Sequence, residues 1–380
     1  MTRVYLIRHG EAEGNIYRRA QGHYESELTA KGLRQVAALA ERFRDEHIDA
    51  LYSSDLKRTQ LTAGAITKYH DLPLHTDPRL REISMGPWED APFGDMQHFY
   101  PEQMRCFNDD PDRWLVDGAE TFPQLKERMF AAVTQLAAKH DGGTIVCVSH
   151  GMAIRSLLAK LLEVDSAEIF KVRHGDNTAV SLLEVAPEGI RVVYYNNTDH
   201  LPPELSTFAR QNWWKKPGSQ DQNNIWFRRF DPQKYPSKYL EYYRKAWYAV
   251  HGSLCGFQEA LYLSPAIRHY AACPDAIVTI QHPDGEVVGI TELDTERDAD
   301  EGVGWICLCF VEELYRRQQL GVQLIGHAVH VFRKLGRKRI RLSVFAGNTG
   351  AIRFYEEYGF RRIGETEGVS GKLFIMEKEI

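Results

Sequence analysis

Blocks of continuous apolar residues alternate with helical periodicities through the first half of the chain. Val4–Ile7 and Thr144–Val148 (TIVCV) are uninterrupted apolar runs that predict buried strands, and Ala50–Ser53 predicts a third. Helical spacing runs through Thr29–Phe43, with Thr29 as N-cap, and through Arg58–Tyr69, Phe122–His140 and Ala153–Leu162. This alternation predicts an α/β sheet with helices on both faces. Between His200 and Asn224 the pattern dissolves into LPPELSTFARQNWWKKPGSQDQNN, which is linker chemistry. Trp213 and Trp214 within it are expected to pack on a domain. Beyond it, strands are predicted at Ile225–Phe230, Ala276–Gln281, Glu286–Glu292, Gly304–Val311 and Arg339–Phe345. Helices are predicted at Lys238–Val250, Gln258–Ala272, Gln318–Leu335 and Thr349–Tyr358, with a turn at His282-Pro283-Asp284-Gly285. The division is therefore a domain at 1–205, a linker at 206–224 and a domain at 225–380.

A length of 380 residues suits two domains. Residues 1–205 hold 23 Lys and Arg against 31 Asp and Glu, and residues 206–380 hold 24 against 21. Neither half is basic enough for a nucleic-acid binder. No apolar run approaches a membrane span, and the N-terminal apolar run is shorter than the core of a signal peptide. Six cysteines without a CxxC pair give no disulfide framework or metal-ligand spacing. A cytoplasmic chain acting on small molecules is the expectation.

Two histidines follow directly on predicted strands, in Arg8-His9-Gly10 and Ser149-His150-Gly151. Ligand sites in open α/β sheets lie outside the carboxyl ends of strands, so both project toward one region. Arg58 starts a helix, and Glu82 sits in an irregular stretch. Two imidazoles, two guanidiniums and a carboxylate suit phosphoryl transfer. An imidazole can attack phosphorus, and arginine forks match the charge spread over its oxygens. A carboxylic acid with a raised pKa can protonate the leaving alcohol.

Six segments in order, LIRHGEAEGN, QGHYESELTAKG, LYSSDLKRTQLTA, RLREISMGPWED, DGAETF and VSHG, resemble the histidine phosphatase superfamily, the phosphoglycerate-mutase-like proteins. The resemblance covers nearly all of residues 1–205 and implies a three-layer α/β/α fold. It makes His9 the phosphate-accepting nucleophile, with Arg8, Arg58, His150 and Asn15 forming the phosphate pocket. Glu82 would be the general acid that later activates water, and no metal is needed. Glu25-Ser26 replaces a family Asp-Ser pair. Cofactor-dependent mutases carry a longer stretch between the acid and the second histidine, here only 68 positions, which favours water as acceptor.

In the second half, GWICLCFVEELYRRQQLGVQLIGHAV reads as strand, turn and helix, and a helix N-terminus presents free N–H groups to a phosphate. This segment resembles the acetyl-CoA-binding signature of the GNAT N-acetyltransferases, matched as Arg316-Arg317-Gln318-Gln319-Leu320-Gly321, and NTGAIRFYEEYGF resembles the family's second cofactor segment. The resemblance implies an α+β GNAT fold over about 225–380 and acetyl-CoA as co-substrate. Backbone amides of Arg317–Val322 would hold the pyrophosphate, Phe310 and Val311 would pair with the pantetheine arm, and Asn348 would contact the cofactor. Tyr355 would protonate the departing thiolate. Gln319 stands where the family has a glycine, and Glu313 where a proline is common. The base that takes the amine's proton is not identifiable. Glu292 and Glu312 are candidates that read more readily as solvated strand-end carboxylates, and Cys307 and Cys309 read as core. Tyr239 and Tyr243 belong to an aromatic run, partly core, with some of it available to line the acceptor cleft.

The sequence thus reads as a fusion of a phosphomonoester phosphatase with an acetyl-CoA-dependent amine acetyltransferase. The alternative is a mutase-type phosphotransferase joined to a non-catalytic GNAT module that senses acetyl-CoA or binds a partner.

Overall fold

The structure, a computed structural model, describes residues 1–210, 223–369 and 371–380; Trp213 and Trp214 lie outside the described residues. The described chain separates into two units, one of residues 1–91 and 96–210, the other of 92–95 and 223–380. In chain order the first part comprises β1 (Thr2–Arg8), α1 (Glu13–Tyr17), α2 (Ala30–Phe43), β2 (Ala50–Ser53), α3 (Lys57–Ile66) and β3 (Leu74–Thr76). There follow α4 (Phe93–Phe99), α5 (Pro101–Asp109), α6 (Phe122–Ala138), β4 (Thr144–Ser149), α7 (Gly151–Leu161), β5 (Val180–Ala186) and β6 (Gly189–Asn197).

The six strands lie in the order β3-β2-β4-β1-β5-β6, with β5 and β6 antiparallel to the parallel remainder. Every residue of β4 is buried, as its continuous apolar run requires of a central parallel strand. Ile7, Val146 and Val148 pack with Leu39 and Phe43 of α2 and Ile66 of α3 in one cluster. Thr29 caps α2 by accepting the Gly32 N–H, as expected. The first domain runs past the expected boundary at 205. Leu205, Thr207 and Phe208 are buried, and Gln35 donates to both the Leu205 carbonyl and the Thr207 hydroxyl. The linker therefore does not begin at 206, because hydrogen bonds to the domain outweigh the polar composition of the segment.

The second part comprises β7 (Trp226–Arg229), α8 (Pro236–His251), α9 (Ala260–Ala272), β8 (Ile277–Gln281), β9 (Val287–Asp294) and β10 (Val303–Val311). It ends with α10 (Leu320–Lys334), β11 (Arg339–Phe345), α11 (Thr349–Glu357), β12 (Arg361–Gly368) and β13 (Gly371–Glu379). Seven strands lie in the order β12-β13-β11-β10-β9-β8-β7. Only β10 and β11 pair in parallel, and only from Val303–Ile306 against Arg339–Leu342. Both strands run on beyond that point unpaired with each other, so the sheet opens between them. The α10 helix lies almost wholly buried, and its Phe332 sits where a Cβ on Gly304 would be 2.2 Å away, so any larger residue there displaces the helix. Among the described residues no helix is long and apolar enough to cross a membrane.

Candidate active sites

In the first unit β1 and β4 are neighbours in parallel register, with Arg8 opposite Ser149. The next residue of each strand is a histidine, so His9 and His150 leave the sheet side by side with ring centroids 5.2 Å apart. His9 Nδ1 lies 2.7 Å from the Gly10 carbonyl oxygen. That contact makes Nδ1 the protonated nitrogen and leaves the lone pair on Nε2. Burial, then the charges of Arg58 and Arg8, hold the His9 pKa well below the ordinary 6.5. His150 is lowered likewise, by burial and then by Arg58. Both imidazoles are therefore neutral at physiological pH.

Arg58 is fully buried and donates to the carbonyls of Tyr24 at 2.9 Å, Gly22 at 2.8 Å and Gln21 at 3.3 Å. Glu89 holds that loop, accepting the backbone N–H groups of Gly22, His23 and Tyr24 from one side and of Met85 from the other. Glycine is required at 22, where a Cβ would meet the Ile83 carbonyl oxygen at 2.3 Å and Glu89 Oε1 at 2.4 Å. Glu25, the departure from the family pattern, accepts the Lys57 N–H at 3.0 Å and so caps the helix that carries Arg58. Arg8 donates to the Gly175 carbonyl at 2.6 Å and packs against Gly151. Among the described residues neither arginine has a carboxylate partner within ion-pair distance. Burial pushes the Arg58 pKa down to about 10 and lowers that of Arg8.

Among the described residues, four buried nitrogens of this set, Arg8 Nε, Arg58 Nε and both ring nitrogens of His150, have no hydrogen-bond partner. Leaving such groups unpaired costs about 1–3 kcal/mol each, so their convergence is explained by a ligand rich in acceptor oxygens. Glu82 completes the set. Its carboxylate accepts the N–H groups of Ala153 at 2.7 Å and Met152 at 3.0 Å, at the start of α7, and that of the adjacent Ile83 at 3.1 Å. Burial raises its pKa, and those three bonds and Arg58 counter only part of that shift. A buried carboxyl that holds its proton above the usual range suits a general acid. Arg128 braces it by donating to the Glu82 carbonyl and pairing with Glu120.

Asn15 stands at the edge of the site, where its Oδ1 accepts the Ala12 N–H at 2.9 Å and the Asn177 side chain at 3.3 Å. Sequence reasoning missed Asn177, whose amide also donates to the His9 carbonyl. It missed Glu11 as well, which is buried and held by Thr29, Lys31 and Thr207. Neither follows a recognisable spacing; only their position beside the strand ends marks them.

In the second unit, helix α10 begins at Leu320 rather than Gln318. Arg317 and Gln319 both have φ of 62°, the left-handed region that a helix does not contain. Left-handed residues in a turn before a helix are how backbone nests for phosphate are made. Gln319 therefore occupies a conformation that glycine adopts freely. Arg316 donates to the Val311 carbonyl and Gln318 to that of Leu314, which pins the turn. A Cβ at Gly321 would come within 3.1 Å of Phe354, so the small residue serves packing between α10 and α11. Phe310 is buried and Val311 partly so, on the strand that parts from β11. Asn348 Oδ1 caps α11 by accepting the Ala351 N–H.

Tyr355 of α11 hydrogen-bonds with Cys309, and burial, then Cys309, raises its pKa well above 10, so it stays protonated. Cys309 is partly buried, whereas Cys307 is exposed rather than core, because β10 bulges at that residue against β9. Glu292 is buried, not solvated. Tyr239 donates to its Oε2 at 2.5 Å and His269 Nδ1 lies 2.7 Å from its Oε1. Glu312 is paired with Lys245 at 2.8 Å.

Comparison with known proteins follows the same division. A family model for the histidine phosphatase superfamily (branch 1) matches residues 4–198, and one for the acetyltransferase (GNAT) family matches 233–360. Phosphoserine phosphatase 1 of Hydrogenobacter thermophilus is 30% identical over 201 residues, which are 53% of this chain and 95% of that protein. A probable phosphoglycerate mutase, GpmB, of Yersinia pestis is 38% identical over 162 residues, 43% of this chain and 75% of its own. The structure of Bacillus stearothermophilus YhfR aligns with a TM-score of 0.51 at 28% identity, covering 53% of this chain and 99% of its own. The chain belongs to the histidine phosphatase superfamily, and it carries a GNAT-family acetyltransferase domain behind the phosphatase domain.

Proposed function

We propose that the first domain hydrolyses a small phosphomonoester through a phosphohistidine on His9. His9 Nε2 attacks phosphorus while the bond to the leaving oxygen breaks. Arg8, Arg58 and His150 meet the charge on the equatorial oxygens, and Glu82 gives its proton to the leaving alkoxide. Glu82, now a carboxylate, then takes a proton from water, which attacks phosphorus and frees His9 and inorganic phosphate. The observation that carries this reading is the convergence of four unpartnered buried nitrogens beside a neutral His9 whose Nε2 is the free nitrogen. The likeness to a phosphoserine phosphatase supports water as acceptor. The likeness to a probable phosphoglycerate mutase supports the second reading, phosphoryl exchange with a bisphosphate primer. Phosphate release from a panel of phosphorylated metabolites tests both, with His9→Ala as control. Primer-independent release lost in His9→Ala upholds the phosphatase, primer-dependent exchange upholds the mutase, and release that survives His9→Ala refutes both.

The second domain, on this proposal, transfers acetyl from acetyl-CoA to an amine. The turn at Arg316–Val322 would hold the pyrophosphate, Phe310 and Val311 would flank the pantetheine where β10 and β11 part, and Tyr355 would protonate the thiolate. The family match and the opening between those strands support it. The free cysteines fit the reducing cytoplasm as the compartment of both activities.

A further inference from the structure

Away from the cofactor turn, the second unit holds a chain of polar groups that neither domain's proposed chemistry uses. His269 of α9 lies between two carboxylates of β9, with Nδ1 2.7 Å from Glu292 and Nε2 3.2 Å from Asp294. Tyr239 of α8 donates to the far oxygen of Glu292. The chain is graded in exposure: Tyr239, Glu292 and His269 are buried, while Asp294 at the other end is partly exposed. Beside Asp294 lies Cys307, whose sulfur is within 4.8 Å of both the His269 and Asp294 donor atoms. Cys307 is exposed, yet its thiol is raised by surrounding protein and by Glu292 and Asp294. Tyr243 of α8 stacks on Tyr262 of α9 at 4.3 Å, and its hydroxyl lies 3.5 Å from the Cys307 carbonyl oxygen, so an aromatic wall stands beside this position.

Cys307 and Cys309 are two residues apart on β10, about 7 Å along the strand. Cys309 is bonded to Tyr355, the group assigned to protonate sulfur. Tyr355 thus lies beside position 309, and the His269–Asp294 pair beside position 307, of the strand that leaves β11 just before them. We propose that Asp294, His269 and Glu292 form the acceptor site for a cationic primary amine, Asp294 binding the ammonium and His269, oriented by Glu292, removing its proton. The proposal rests on the acetyltransferase reading above. The ammonium replaces the imidazole Nε2–H on Asp294 and His269 releases that proton to solvent; Nε2 then takes one proton from R–NH3+, and the amine lone pair forms the new bond to the thioester carbon. The carbon–sulfur bond breaks, the thiolate takes a proton from Tyr355, the second nitrogen proton goes to solvent, and Tyr355 regains its proton from solvent. The products are the amide, coenzyme A and one proton. Burial alone would lower His269, but the Glu292 hydrogen bond and the charges of Glu292 and Asp294 outweigh it and the opposing Arg268, so its pKa is raised, as a base for an ammonium ion requires. The aromatic wall suits an ammonium on an apolar body.

The test uses the full chain. Calorimetric titration with phenethylamine and with its uncharged alcohol counterpart, with and without saturating coenzyme A, reads the acceptor site directly. Acetyl-CoA binding measured on every variant shows that the fold stands. The amine is expected to bind and the alcohol not, and Asp294→Asn to weaken the amine at least about tenfold. In turnover, Glu292→Gln is expected to lower kcat with little change in KM and to move the pH profile, which a merely structural role would not do. Amine binding that is absent, or equal in wild type and Asp294→Asn, overturns the proposal. So does stoichiometric zinc binding lost in Cys307→Ser, which would make the cluster a metal site. Amine binding without acetyl-CoA binding instead overturns the acetyltransferase reading and leaves the cation site upheld.

Discussion

Replacing Glu82 with glutamine separates two effects that converge on one carboxylate. Its two oxygens take three backbone N–H groups, two at the start of α7 and that of the neighbouring Ile83. An amide of the same shape keeps one oxygen, so at least one buried N–H loses its acceptor and faces an NH2 donor. That costs about 1–3 kcal/mol, and it burdens every substrate alike. Loss of the proton donor is selective. General acid catalysis contributes roughly a hundredfold to ten-thousandfold, and only where the leaving oxygen needs a proton. Glu82→Gln is therefore expected to lower kcat/KM for an alkyl phosphomonoester about a thousandfold. For p-nitrophenyl phosphate, whose phenolate leaves unprotonated, only that common burden remains, roughly fivefold to a hundredfold. The assay is initial-rate phosphate release on both substrates with matched enzyme preparations. Equal losses on the two would refute the acid role and reduce Glu82 to a helix cap.

The pH dependence has a definite sign. His9 is held neutral well below 6.5, so the acid limb of kcat/KM lies below the ordinary imidazole range. Glu82 is raised, so the alkaline limb, where the acid loses its proton, lies above the ordinary 4.5. A pH–rate profile with an alkyl substrate should show both limbs, and Glu82→Gln should abolish the alkaline one. Arg58→Lys removes the fork that spans three loop carbonyls and the phosphate. It is expected to cost about 2–4 kcal/mol in kcat/KM, and a loss under twofold would contradict the role given to the fork. Gln319→Gly relieves a left-handed side-chain residue, worth about 1 kcal/mol, and should raise the melting temperature of the second domain. Tyr355→Phe should reduce acetyl transfer roughly a hundredfold without altering the acetyl-CoA dissociation constant measured by calorimetry.

The strands that place His9 and His150 were legible because a strand buried on both faces must be apolar at every position, and β4 is. The antiparallel strands β5 and β6 were not, since β6 alternates exposed and half-buried residues and its Tyr and Asn do not resemble a core. β12 was hidden for the same reason, being largely exposed. The candidate site residues could be named from contiguous motifs, but their supports could not. Asn177 reaches His9 from 168 positions away and Glu89 reaches the Arg58 loop from 67. Glu292 looked like a strand-end carboxylate because nothing local shows that Tyr239 and His269 close over it. At 319 the sequence shows only Gln where the family has a glycine, and the structure adds the left-handed backbone there that glycine meets at no steric cost.

The segment from Leu205 to Phe208 bears on how this protein can be taken apart. Thr207 ties to Glu11, two residues after His9, Ser206 ties to Asp176, and Phe208 lies against Arg8. A truncation designed on composition would cut at 205 and strip three ties from the catalytic loops, while one that retains residue 210 keeps them all. An isolated phosphatase domain that proved feeble after the shorter cut would therefore say nothing about dependence on the acetyltransferase. Recombining the two halves with other partners meets the same rule: the exchangeable joint lies downstream of the last residue that braces the histidine.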